Sequence, residues 1–259
     1  MKPEVFELSL LGGAVERRYR RMRPDVERLP WGTLDLSGLT PAAIAQGRRF
    51  WTIAAFQEHR SGAACAATLQ ALIAARAPVD LIAVASRFVL DEMTHVELCA
   101  RVAGELGGGA SISHLPSQLL EGADPKLPPL VAVAELVVRV FCVGEAFSVP
   151  MQRATARAAT HPLIKAVIGR IAKDEIVHGA FGWEFLDWAG EFLDDAARDH
   201  LRGVAARAIA ALERTLETLS VAGDAAGHSL GWLPRDVYLS TARSALADDV
   251  VAPLRARGI

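Results

Sequence analysis

The sequence predicts an all-α fold: a four-helix bundle with a long crossover between its second and third helices, and two additional C-terminal helices. Three observations carry this reading. Strand-type alternation is nearly absent, and Ala, Leu, Arg and Glu dominate, which favours helix. Capping and breaking residues mark off four long helical segments. The links between those segments run short, long, short, which suits a bundle whose second hairpin must cross over.

Residues 1–40 contain Pro3, Gly12, Gly13, Pro24 and Pro30 and read as an N-terminal surface segment. Within it, "ERRYRRMR" at 16–23 reads as a solvated basic face. Thr40 and Pro41 form an N-cap followed by proline at the first helical position. They open a helix over 41–76 that stops before Pro78. The second helix runs over 79–106 and ends at the glycines 107–109. Residues 108–128, with Gly, Ser and Pro116, Pro125 and Pro128, form the long connection. The third helix spans 129–159, and "THP" at 160–162 caps the fourth, over 162–190. A fifth spans 195–221, "VAGDAAGHSLGWLP" is a loop, and a last helix spans 234–256. The whole chain, 1–259, is expected to be one domain, because the two hairpins of 41–190 need each other to bury their apolar faces.

Composition excludes several classes. A net charge of −2 argues against nucleic acid or an anionic membrane as the main partner. Cys65, Cys99 and Cys142 are far apart and show no C-x-x-C spacing, which fits a reducing compartment without a disulfide framework or a thiolate zinc site. The opening "MKPEVFELSLLGG" lacks a signal-peptide layout, since Glu4 and Glu7 interrupt it. "LVAVAELVVRVFCVGEAFSV" at 130–149 is long enough to span a bilayer. Glu135, Arg139 and Glu145 lie inside it, however, so it reads as a buried helix and the protein as cytoplasmic.

One five-residue pattern occurs twice. "DEMTH" at 91–95 and "DEIVH" at 174–178 are both Asp-Glu-x-x-His, and the second starts 83 residues after the first. Glu and His at i and i+3 share a helix face, so Glu92 points with His95 and Glu175 with His178. Their neighbours Phe88, Val89, Val96, Leu98, Ile168, Ile171, Ile176 and Val177 are apolar. A carboxylate on an apolar face is costly unless it is paired or bound to metal. The other two long helices each bring a matching carboxylate. Glu58 is the only acidic residue between Asp35 and Asp80, and Glu145 lies in an apolar run. Each half thus reads Glu, a hairpin's worth of helix, then Asp-Glu-x-x-His. Glu58, Glu92, Glu145, Glu175, His95 and His178 are the candidate ligands of two metal ions. Oxygen with imidazole suits iron or manganese better than the thiolate sites of structural zinc.

These half-sites resemble the ferritin-like di-metal carboxylate superfamily, which includes rubrerythrins, bacterioferritins, multicomponent monooxygenase subunits and aldehyde-deformylating oxygenases. The resemblance covers about 41–190. It implies that Glu58, Glu92 and His95 hold one ion and Glu145, Glu175 and His178 the other, with Glu92 and Glu175 bridging. It further implies that Asp91 holds His178 and Asp174 holds His95 across the bundle, as aspartates preceding the ligand glutamate do in the resembled oxygenases. The spacing is also similar to that of the p-aminobenzoate N-oxygenase family. That family carries a third histidine ligand where this chain has Ile171, and the likeness departs there.

The resemblance implies two iron ions, with manganese the other choice, reacting with dioxygen or peroxide. The expected activity is a dioxygen-activating oxidoreductase or oxygenase for a small organic substrate. An external electron donor is expected, since no G-x-G-x-x-G follows a strand. The alternative is a ferroxidase, iron-handling or peroxide-scavenging protein of the manganese-catalase kind. About 70 residues follow the fourth helix, more typical of the enzymes than of the cages. A homodimer is compatible with either.

Other residues take ordinary roles. His59 points about 100° from Glu58 and reads as peripheral. His161 reads as a capping or surface residue, and Glu97 and Glu184 as solvated. Cys65 and Cys142, with Phe88, Phe141, Ala54 and Ala55, either fill the core or line a cavity beside the metals; helical spacing does not decide between these. Tyr19 and Tyr238 fall outside the four ligand helices, which argues against a radical-storing tyrosine.

Overall fold

A computed structural model describes residues 2–119, 122–218 and 227–259, and most of them are helical. Among the described residues, strand is confined to β1 (Glu4–Val5) and β2 (Ser113–His114), paired antiparallel with Glu4 opposite His114. No described helix is long and apolar enough to cross a membrane.

The helices follow their local signals. After α1 (Gly13–Met22), α2 (Pro41–Ala74) starts where Thr40 caps it, the Thr40 hydroxyl accepting from the Ala43 amide at 3.1 Å. It ends in a Schellman turn, with Ala77 N bonded to Leu72 O and Arg76 N to Ile73 O. Arg76 takes φ 53° there, a left-handed position that usually goes to glycine. α3 (Val79–Glu105) ends in the same motif, now with Gly107 at φ 97°. The expected third helix is α4 (Pro129–Val137), a π-helical segment (Val138–Glu145) and α5 (Ala146–Ala158). α6 (Pro162–Ala189) begins at His161, whose ring accepts from Leu163 N at 3.2 Å. Beyond it come α7 (Asp195–Thr218), α8 (Gly227–Leu230), α9 (Arg235–Ala245), a second π segment (Leu246–Val251) and α10 (Ala252–Ala256). The expected last helix is thus helical from Arg235 to Ala256 with a π segment inside it, while α8 forms a helical turn within the expected loop. Residues 219–221 of the expected fifth helix, and part of the loop after it, lie outside the described residues.

Two hairpins, α2 with α3 and α5 with α6, pack together; α3 meets α6 and α2 meets α4. Two buried apolar clusters result. One contains Phe88, Phe141, Phe181 and Phe185, the other Trp51, Leu98, Val102, Ile164 and Ile171. On α3 the residues from Glu92 to His95 lie between Phe88 and Leu98. On α6 those from Glu175 to His178 lie between Ile171 and Phe181. The polar residues thus occupy the level where the two apolar clusters meet.

Most of the N-terminal segment is exposed, but Arg23 and Val26 are buried. α1 lies against α3, with the Tyr19 hydroxyl donating to Met93 O at 3.0 Å and Val26 fully buried. The stretch 16–23 is not simply a solvated face: Arg23 is buried and pairs with Glu97. Glu16, Tyr19 and Arg20 share one face of α1 by helical spacing, and Arg23 at its C-terminal cap pairs with Glu27 and Glu97, its Nε having no hydrogen-bond partner among the described residues.

Candidate metal centre

The inward faces of α2, α3, the π segment and α6 bring six side chains together. Two overlapping groups form, Glu58–Glu92–His95–Glu175 and Glu92–Glu145–Glu175–His178, each with its ligand atoms within 4.8 Å of one another. Glu92 and Glu175 belong to both. Around His95 Nδ1 stand Glu175 Oε1 at 3.3 Å, Glu58 Oε2 at 3.6 Å and Glu92 Oε2 at 3.8 Å. Around His178 Nδ1 stand Glu92 Oε1 at 3.1 Å and Glu175 Oε2 at 3.3 Å. Each shared glutamate therefore sends one oxygen towards each imidazole.

These groups are deeply buried. Glu92, His95 and His178 are 0% exposed, and Glu58, the most open of the six, has a side chain 13% exposed. Yet among the described residues both oxygens of Glu92, Oε2 of Glu175 and Nδ1 of both histidines have no hydrogen-bond partner. Burying an unsatisfied acceptor costs about 1–3 kcal/mol, and more for a charge. Folded chains rarely tolerate several at one point without an occupant. The separations fit such an occupant. Two donors about 2.1 Å from one cation, at angles of 90–110°, lie about 3.0–3.5 Å apart. The donor set therefore fits a divalent metal ion.

The ring nitrogens are divided in the same way on both sides. Nδ1 faces the carboxylates while Nε2 faces an aspartate of the other helix. His95 Nε2 lies 3.0 Å from Asp174 Oδ2, at hydrogen-bond distance. His178 Nε2 lies 3.8 Å from Asp91 Oδ2, which is an ion-pair separation rather than a hydrogen bond.

Without a cation the electrostatics favour protons. Burial, joined by the negative charges of Glu175 and Glu92, pushes the Glu145 carboxyl well above the usual range. Burial raises Glu58 to about 7 against the pull of His95. Burial works to lower His178, but Asp91, Glu175 and Glu92 outweigh it and push the imidazole up to about 12. His95 is raised in the same manner by Glu175, Glu58 and Glu92. Burial also acts against ionised Glu175, yet His178 and His95 hold its carboxyl well below the usual range.

Several sequence expectations need adjustment. Ile176 and Val177 are 46% and 50% exposed and do not enclose the site. They stand 100° and 200° round the helix from Glu175. Glu97 is not solvated, its side chain being only 12% exposed and paired with Arg23. Cys65, Cys142, Phe88 and Phe141 belong to the packed core. The Phe88 ring lies 4.3 Å from that of His178. His59 is half-buried beside Phe6, and His114 is buried against Phe56.

Two features went unread in the sequence. The repeat begins earlier than Asp-Glu-x-x-His: Arg87 precedes Asp91 by four residues and Arg170 precedes Asp174 by four. Each arginine pairs with its aspartate. The fuller pattern, Arg-x-x-x-Asp-Glu-x-x-His, was available to a comparison of the two halves. The second feature is the π segment that ends on Glu145. Such segments often occur at functional sites.

No family model, no curated protein and no solved structure matches this chain.

Proposed function

We propose that the chain is a ferritin-like, carboxylate-bridged di-metal protein, and specifically a dioxygen-activating di-iron oxidoreductase. Its substrate would be a small organic molecule, with electrons from an external donor. The observation that carries this reading is the pair of overlapping ligand groups sharing Glu92 and Glu175. Glu58 and His95 complete one, and Glu145 and His178 the other. With neutral imidazoles, the four carboxylates carry four negative charges, which two divalent cations balance. The oxygen-and-imidazole set suits iron or manganese.

Bound iron would supply the redox chemistry that reduces dioxygen. The chain's own residues do the rest. Glu92 and Glu175 hold the two positions at a fixed spacing. Asp174 accepts the Nε2 proton of His95, which leaves the Nδ1 lone pair facing the carboxylates. Phe88, Phe141 and Phe181 pack against one another beside His178 and exclude water from that side. The fold alone does not choose the reaction.

A second reading, a ferroxidase or peroxide-scavenging protein, draws on that same aromatic packing. Rings placed directly against His178 favour a reactant no larger than dioxygen or peroxide. Metal analysis of the purified chain, with absorption spectra before and after anaerobic reduction and oxygen exposure, tests the proposal. Two irons and an oxygen-dependent band support the oxidoreductase, and turnover of a substrate separates it from a ferroxidase. Two manganese ions with fast peroxide dismutation support the second reading. No metal after reconstitution refutes both, as does unchanged metal content in Glu92→Ala.

A further inference from the structure

We infer that Asp25 and Arg170 are positioning residues for the His95 half of the metal centre, and that this half binds its ion more tightly than the His178 half. The inference rests on the di-metal reading above. The six ligands repeat almost symmetrically, but the groups behind them do not.

Behind His95 a continuous chain of charge runs outward to the N-terminal segment. His95 Nε2 meets Asp174 Oδ2 at 3.0 Å. Arg170 Nη1 forms an ion pair with the same oxygen, without a hydrogen bond, and Arg170 Nε donates to Asp25 Oδ2 at 2.5 Å. Arg170 and Asp174 are only 12% and 13% exposed, so solvent screens them weakly. Asp25 is itself anchored by its neighbour. Val26 is 0% exposed, and its carbonyl accepts from Trp31 Nε1 at 2.8 Å. Asp174 is therefore held from both sides, by Arg170 and by His95 Nε2.

Behind His178 the chain stops early. Asp91 Oδ2 lies 3.8 Å from Nε2, beyond hydrogen-bond reach. Arg87 holds the other oxygen at 2.8 Å, but its side chain is 57% exposed, and among the described residues no second carboxylate backs it as Asp25 backs Arg170. An exposed pair of that kind contributes little. His178 Nε2 thus lacks the hydrogen bond that would fix which ring nitrogen carries the proton.

The groups that orient a histidine ligand typically change metal affinity by about 10–100-fold when removed. Co(II) titrated into the metal-free full-length protein, followed by its visible absorption, should show two unequal steps. His95→Gln should abolish the tight step and His178→Gln the weak one. Arg170→Gln should weaken the tight step by about 10–100-fold, and Asp25→Asn should weaken the same step less. Arg87→Gln should change either step by less than about threefold. A merely structural role would lower both steps together. If Arg170→Gln does not fold, Asp25→Asn decides the matter, since that side chain is 45% exposed and touches no ligand. Two equal steps, or Arg87→Gln matching the effect of Arg170→Gln, overturn this inference and leave the di-metal reading standing. Fewer than two Co(II) per wild-type chain overturns both.

Discussion

The approach of α6 to the π segment can be tested with one pair of glycines on the same helix. A Cβ at Gly182 would stand 2.8 Å from Cys142 Sγ, 3.0 Å from Cys142 N and 3.0 Å from Phe141 Cβ. A Cβ at Gly169 would meet nothing within 4 Å. In both variants alanine gains about 1 kcal/mol over glycine inside a helix. Gly169→Ala should keep that gain. At Gly182 two of the three obstructing atoms are backbone or Cβ, and no rotamer change moves them. The helices must part, and overpacking of this kind costs about 1–3 kcal/mol. Near the upper end, the net loss is about 2 kcal/mol, so the two variants differ by about 3 kcal/mol. At about 2–4 °C per kcal/mol for a chain of this size, Tm should rise by about 2–4 °C in Gly169→Ala and fall by about 4–8 °C in Gly182→Ala. The assay is thermal unfolding by circular dichroism, both proteins stripped of metal by the same chelator. The π segment carries Glu145, so Gly182→Ala should also bind less metal. A Gly182→Ala protein as stable as Gly169→Ala would refute the claim that the glycine is there for close approach.

Three further outcomes are expected. Loading the metal-free protein with two divalent ions at pH 7 should release at least one proton, because His178 is raised to about 12, Glu58 to about 7, and Glu145 and His95 well above their ordinary values. Raised values mean protons already bound, so affinity must fall as pH falls; a weakly buffered titration with an indicator dye reads the count, and release below one proton contradicts it. Arg23→Ala should destabilise the chain by about 3 kcal/mol in urea unfolding, since it leaves the largely buried Glu97 without its main partner. Thr40→Ala should cost about 1 kcal/mol by the same measurement, with metal content unchanged, because it removes only the cap of α2.

Local signals explain what could be read from the sequence. Thr40–Pro41 and His161–Pro162 start helices through bonds within a few residues of themselves, so α2 and α6 begin where expected. Glu92–His95 and Glu175–His178 share faces through the pitch of the helix alone. What depended on distant partners was not legible. α1 buries Arg23, and the Glu97 that permits this lies 74 residues away. The π segment falls in a run that is apolar nearly all round, where no change of phase shows. Ile176 and Val177 neighbour the site in sequence only: once Glu175 and His178 point inward, helical phase turns both of them out.

The site gives a reason for charge that the fold does not need. A buried ionic cluster is weak support for a fold, since well-packed apolar residues of similar volume often serve as well or better. Here even the ionic pairing is incomplete, because Glu92 has both oxygens unbonded at 0% exposure. The cluster can nevertheless reach neutrality in two ways. Four protons shared among its carboxylates and imidazoles cancel four carboxylate charges. Two divalent cations against four carboxylates and neutral imidazoles give the same total. The metal-free chain can therefore keep its fold by holding protons, and loading exchanges them for cations without changing the net charge of the interior. An apolar substitute could pack as well but could not make that exchange, so under the proposed di-metal reading these six residues serve binding rather than folding.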